Sequence, residues 1–155
     1  MPQMSRGGKY VFGMSVIREH GAVRIPPQAA DEYRIADEGK AYLFTGSKST
    51  GGFCVTRRGL LEPSKLGHIL EEVPELRDYA SARGRFLKYK GRSYCWIDIS
   101  EDGRIVLTRS MLAFLGIAPG DALLCIRSSD IAFTMGVKGP LVEKARAYQG
   151  DIPVF

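Results

Sequence analysis

The chain holds two histidines, three cysteines and one tryptophan among 155 residues. His20 and His68 stand far apart, with no cysteine or carboxylate at the spacing of a metal ligand set or a nucleophilic triad. Cys54, Cys95 and Cys125 are an odd set with no C-x-x-C pair, each inside an apolar run, which argues against a zinc site and a disulfide framework. Paired carboxylates are missing too: Glu71, Glu72 and Glu75 read as the solvated side of a connecting helix, and Asp98, Glu101 and Asp102 as turn residues. The expectation is a protein with no catalytic residue, no cofactor and no metal, and not an enzyme. Long apolar runs are also absent. The stretches near Met111 and Ala122 are interrupted by Pro119, Gly120 and Asp121, and the opening MPQMSRGGKY has no apolar core. Neither a membrane span nor a secretion signal is read, so the expected location is cytoplasmic. Charge is only mildly one-sided, at +5 from 22 basic and 17 acidic residues, which permits a polyanionic partner without demanding one.

What is present is an ordinary globular composition, 45% hydrophobic and 25% charged, in a chain long enough for one domain or two small halves sharing a core. The more informative feature is a repeat. Residues Ile17 to Leu61 can be laid over Ile99 to Leu141 with one-residue gaps near Glu38 and Thr50. Gly21 then meets Gly103, Ile35 and Ala36 meet Ile117 and Ala118, and Gly39 meets Gly120. Further on, Ala41 and Leu43 meet Ala122 and Leu124, Phe53 meets Phe133, and Gly59 and Leu61 meet Gly139 and Leu141. An internal duplication predicts a two-fold pseudosymmetric body, with halves at 9–82 and 83–155.

Each half reads as strand, strand, short helix, strand, strand, then a trailing helix. In the first, Tyr10 to Arg18 and Ala22 to Ile25 suggest a hairpin broken by Glu19, His20 and Gly21, and Pro26 and Pro27 lead into a helical turn over Gln28 to Tyr33. Lys40 to Thr45 alternates Tyr42 and Phe44 on one face with Ala41 and Leu43 on the other, and Phe53 to Thr56 returns. The second half repeats this with Tyr94 to Ile99, Arg104 to Leu107, Ala122 to Arg127 and Ile131 to Met135. Its helix has clear ends, with Thr108 as N-cap, Met111, Leu112 and Leu115 at helical spacing, and Gly116 where positive φ is needed. Helices over Lys65 to Leu70, Leu76 to Ala82 and Leu141 to Tyr148 are expected to cover sheet edges.

The string GRIVLTRSMLAFLGIAPGDAL, from Gly103 to Leu123, resembles the AbrB-type swapped-hairpin domain, in which glycine and arginine open a strand and L-G-I-x-x-G-D leads into the next. GAVRIP at Gly21 to Pro26 and YRIADEGKAYL at Tyr33 to Leu43 match it more loosely, and two copies in one chain, a helix after each, look like the MraZ branch of that superfamily. The resemblance implies a mainly β fold with short helices, a swapped-hairpin AbrB-like β-barrel built from two tandem repeats. It also implies a DNA-binding transcriptional regulator. Ring-like homo-oligomers formed through the helices are a family trait. The family's arginines transfer only in part. Arg104 holds the glycine-adjacent position in the second copy, but Ala22 holds it in the first. The helix arginine pair falls on Leu112 and Ala113, and on Ala30 and Asp31, while the acid of the MraZ-type D-x-x-x-R motif falls on Ser100.

Substitute cations near those positions are Arg18, Arg24 and Arg109, so with Arg104 a basic face docking phosphates is the first candidate site. The second is Arg83, Arg85, Lys88, Lys90 and Arg92, interleaved with Phe86, Tyr89 and Tyr94, a mixture suited to phosphate contact with base stacking but also to a charged edge strand. GSKSTGG at Gly46 to Gly52 looks like a phosphate cradle around Lys48, yet lacks the G-x-x-x-x-G-K order and sits at a hairpin tip, so it reads as a turn. Trp96, Tyr10, Phe12 and Phe133 read as core aromatics. The alternative to DNA binding is a duplicated barrel that has lost the family's arginines and binds a protein partner or a small ligand.

Overall fold

Apolar alternation decides most of the strands, and short runs between glycines and prolines decide the rest. The computed structural model describes residues 9–46, 48–148 and 150–155; the opening residues 1–8, Ser47 of the glycine-rich tip and Gln149 lie outside them. Among the described residues the order is β1 (Val11–Val16), a 3-10 turn (Glu19–Gly21), β2 (Ala22–Arg24), α1 (Pro27–Tyr33), β3 (Lys40–Thr45) and β4 (Phe53–Thr56). Then come α2 (Arg58–Leu61), α3 (His68–Glu72), α4 (Pro74–Arg77), β5 (Leu87–Tyr89), β6 (Arg92–Asp98) and β7 (Arg104–Val106). The chain finishes with α5 (Arg109–Leu115), β8 (Ala122–Arg127), β9 (Phe133–Gly136) and α6 (Pro140–Ala147).

Seven strands form an antiparallel sheet in the order β1-β8-β9-β4-β3-β6-β5, and β2 with β7 forms a separate two-stranded ribbon. The fold is therefore mainly β with short helices. Among the described residues it is not hydrogen-bonded into a closed barrel, since the sheet keeps β1 and β5 as edges. β2 and β7 are only three residues long, and their ladder bonds go to each other. For the same reason the expected hairpins of β1 with β2 and of β6 with β7 do not form ladders. The Arg18 amide reaches the Ala22 carbonyl and the Ser100 amide reaches the Arg104 carbonyl, after which the chain swings out of the sheet.

The ladders come in matched sets. Met14, Ser15 and Val16 face Leu124, Leu123 and Ala122, and Trp96, Ile97 and Asp98 face Tyr42, Ala41 and Lys40 at the same relative register. Val23 faces Ile105 at the middle of the ribbon, and Cys54 faces Thr134 at the middle of the β4·β9 ladder. This register corrects one detail of the sequence alignment. Ala41 and Leu43 point into the same core as Leu123 and Cys125, whereas Leu124 faces the other side of the sheet. Ala41 thus corresponds to Leu123 rather than Ala122, because the side-chain period of two lets one residue of slip exchange the faces.

The sheet is apolar on both faces, and each is covered. On one side, Phe12, Leu43, Val55, Cys95 and Phe133 pack against Val23, Ile25, Ile105 and Leu107 of the ribbon region and against Ala29, Tyr33 and Met111 of α1 and α5. On the other, Tyr42, Phe44 and Cys54 lie under Leu61, Ile69, Leu70 and Leu76 of α2 to α4, and Leu124 and Ile126 lie under Val142 and Ala145 of α6. The trailing helices therefore cover a face rather than the edges, since an outward row such as Tyr42 and Phe44 needs burial as much as the inward row does. The β1 edge is covered instead by the chain end, where the Met14 amide meets the Pro153 carbonyl at 2.8 Å and the Phe155 amide meets the Met14 carbonyl at 2.7 Å.

Helix ends follow their residues. Thr108 accepts from the Met111 amide and Gly116 closes α5 in the left-handed region, as its sequence predicts. The helices over Lys65–Leu70 and Leu76–Ala82 are shorter and shifted, to His68–Glu72 and Pro74–Arg77, because Pro74 starts a new turn. α2 carries no cap signal in the sequence, which therefore gives no sign of this helix. Cys54, Cys95 and Cys125 are all buried and free.

Candidate nucleic-acid interface

The ribbon is built from two turns. In the first, His20 and Gly21 take positive φ, and Gly21 passes so close to β7 that a Cβ there would lie 1.9 Å from the Leu107 carbonyl oxygen. In the second, the Ser100 hydroxyl is tied to Asp102 and accepts from the Arg104 amide at 2.9 Å, so Ser100 shapes the turn where the MraZ-type pattern has an acid. Strand alternation then sends Val23 and Ile105 into the core and leaves Arg24, Arg104 and Val106 outside.

Arg24 stands directly opposite Arg104. The Ile25 amide bonds the Gly103 carbonyl and the Leu107 amide bonds the Gly21 carbonyl, which makes Arg24 and Arg104 a non-hydrogen-bonded pair, the arrangement that brings facing side chains closest. Like charges in that position repel. The repulsion is relieved on one side by Asp102, whose carboxylate pairs with Arg104. A hydrogen bond from the Ser100 hydroxyl, with the Arg104 charge beside it, holds the Asp102 carboxyl below the ordinary carboxylate range. On the other side the Arg24 guanidinium lies 5.7 Å from the Phe155 ring centroid. No carboxylate pairs with Arg18 or Arg24 among the described residues, whereas elsewhere Arg127 is bound by Glu32 and Arg57 by Glu38.

Arg18, Arg24 and Arg104 line one groove of about 370 Å³ together with Val154 and Phe155. Arg109 is not in it. It lines a neighbouring depression with His20, Gly21 and Leu112, at the start of α5. The substituted helix positions add no positive charge: Leu112 is half-buried, Ala113 exposed, Ala30 half-buried, and Asp31 is exposed and acidic.

The second basic set is not gathered into one site. Arg83 reaches Asp98 at 2.6 Å, Asp98 also holds Lys40 at 2.8 Å, and Arg83 shares a groove with Arg104 and Val106. Arg85 and Lys88 are exposed, Lys88 on the edge strand β5. Lys90 sits over the Tyr89 ring at 5.3 Å, and Arg92 over the Phe44 ring at 5.5 Å on the other face of the sheet. The interleaved aromatics have partners inside the protein. Phe86 stacks on Phe114 at 4.4 Å, Tyr89 donates to Glu72, and buried Tyr94 stacks on Phe44. The chain matches no family model, and no curated protein is significantly similar to it.

Sequence reasoning missed two contributors to the ribbon site. Asp102 reads from sequence as a turn residue, although its position two residues before Arg104 is a usable signal for the ion pair. Phe155 had none, since nothing in its neighbourhood points to a strand 140 residues away by way of Met14. Among the described residues no three metal-ligating side chains gather, and no helix is long and apolar enough to cross a membrane.

Proposed function

We propose that this protein is a cytoplasmic DNA-binding transcriptional regulator, which docks phosphates on the outer face of the β2·β7 ribbon and performs no chemistry. The observation that carries this reading is the facing pair Arg24 and Arg104 in one groove with Arg18. A pair of repelling guanidiniums is stabilised by an anion placed between them, and arginine takes a phosphate through two parallel hydrogen bonds. Arg109 extends the positive rim on one side, while Arg83, paired with Asp98, borders the groove on the other. The architecture in this reading is a duplicated, AbrB-like swapped-hairpin arrangement resembling MraZ, and the matched ladders of β1 with β8 and β6 with β3 support it.

The test is anisotropy of labelled duplex DNA over a salt series. Three to four phosphate contacts give a slope of about −3 to −4 in log affinity against log salt. Arg24→Glu with Arg104→Glu weakens binding by more than about tenfold without unfolding, since each charge-assisted contact is strong. Absence of binding by the native protein at about 50 mM salt overturns the reading. That outcome favours the second reading, a protein-interaction module, for which the supporting observation is apolar: Val106 is 57% exposed beside Arg104, and Phe114 is 53% exposed on α5.

A further inference from the structure

The opposite face of the seven-stranded sheet carries a groove that the ribbon reading leaves without a role. The covers formed by α2 to α4 and by α6 leave an opening over β4 and β9. Its floor is the centre of the β4·β9 ladder, where the Cys54 sulfur and the Thr134 hydroxyl lie 3.4 Å apart. Phe44, Ile126 and Ala132 form apolar walls, and Leu66, 42% exposed, lines the rim from the helical side. The space is about 380 Å³, within the range of small-molecule sites.

The charge of this groove has one sign. Arg92 and Lys9 line it, and no acidic residue does among the described residues. The Arg92 guanidinium lies over the Phe44 ring, 5.5 Å from its centroid, without a carboxylate partner among those residues. Lys9 has a stretched contact of 3.5 Å to the exposed Ser128 carbonyl. Gly46 and Thr50, from the glycine-rich tip singled out in the sequence, also border it. Two cations above an apolar, aromatic-walled slot match one negative charge on a hydrophobic body. A polyphosphate would carry more negative charge than Arg92 and Lys9 balance.

We infer that this groove binds a small organic monoanion with an apolar or aromatic body, its charge at Arg92 and Lys9 and its body over Phe44, Ile126 and the Cys54–Thr134 floor. The inference is independent of DNA binding, because the residues involved belong to the other face.

The experiment titrates the protein with 8-anilinonaphthalene-1-sulfonate and with the uncharged N-phenyl-1-naphthylamine, following fluorescence and the amide resonances of the labelled chain. One saturable site per chain is expected, with shifts centred on Phe44, Ile131, Ala132 and Thr134. The uncharged probe, Arg92→Glu and Leu66→Glu each weaken binding by about tenfold or more, as loss of a charge-assisted contact or addition of a repelling acid requires. Arg34→Glu, a like change beyond α1 on the ribbon side, leaves it unaltered. Near-ultraviolet circular dichroism checks that each variant is folded, and the two groove variants, one on β6 and one in the turn between α2 and α3, guard against failure of either. Absence of a saturable site, equal affinity for the two probes, or shifts centred elsewhere overturns the inference.

Discussion

At the scale of single residues, the ribbon depends on two glycines that are not equivalent. Gly21 and Gly103 both have positive φ, at 82° and 79°, but a Cβ on Gly21 would meet the Leu107 carbonyl oxygen at 1.9 Å while one on Gly103 would find its nearest neighbour at 3.6 Å. Gly103→Ala is therefore expected to lose about 1 kcal/mol, the left-handed backbone cost alone. Gly21→Ala is expected to lose more than about 2 kcal/mol, because backbone must move as well. Urea unfolding of the two variants checks the difference. Arg24 makes the opposite case. Removing one of two facing charges in Arg24→Gln leaves stability within about 0.5 kcal/mol or raises it, while DNA affinity falls. A loss of both together would show that Arg24 is held for packing against Phe155 rather than for a ligand.

At the scale of elements, β6 is anchored to its neighbours partly by charge. Asp98 accepts from Lys40 of β3 and from Arg83, and those two contacts, Lys40 first, hold its carboxyl below the ordinary range. A carboxyl with a depressed pKa in the folded state contributes stability above its unfolded pKa and loses it as pH falls through the folded value. Asp98→Asn is thus expected to destabilise at neutral pH by less than about 1 kcal/mol, since the pair is largely solvated. The difference between variant and native protein should vanish in acid, below the ordinary carboxylate range, which denaturation at several pH values measures. Several elements were legible beforehand. The alternation of Lys40–Thr45, the run Phe53–Thr56 and the Thr108 to Gly116 helix signals all specify structure locally. The expected β1–β2 and β6–β7 hairpins do not form, because adjacency in sequence favours a hairpin but the pairing of β2 with β7 competes with it and wins.

At the scale of the whole molecule, the cores on both faces of the sheet set the response to alkali. Burial pushes the Cys95 thiol up to about 12, and raises the Cys125 and Cys54 thiols as well. An exposed thiol ionises near about 8.5, so above that pH the unfolded chain sheds protons that the folded chain retains. Folded stability should be complete below that range and fall as pH rises through it towards 12, by up to about 1.4 kcal/mol per pH unit for each such thiol. Replacing Cys95 by Val should flatten the decline, and urea unfolding between neutral and strongly alkaline pH reads it. The fully buried Cys95 and Cys125 thiols should also stay inert to a thiol reagent in the native state.

By itself the sequence determined the strand content, the faces of β3, the capped helix α5 and which arginines are available, because each rests on local spacing, backbone freedom or composition. Tertiary structure alone decided that β2 and β7 leave the sheet to pair with each other, which brings Arg24 opposite Arg104 from positions 80 residues apart. It likewise decided that Phe155 covers the β1 edge and that Arg92 faces away from the ribbon, over Phe44. Those outcomes depend on which long-range ladder buries the most apolar surface, and no local pattern encodes that competition.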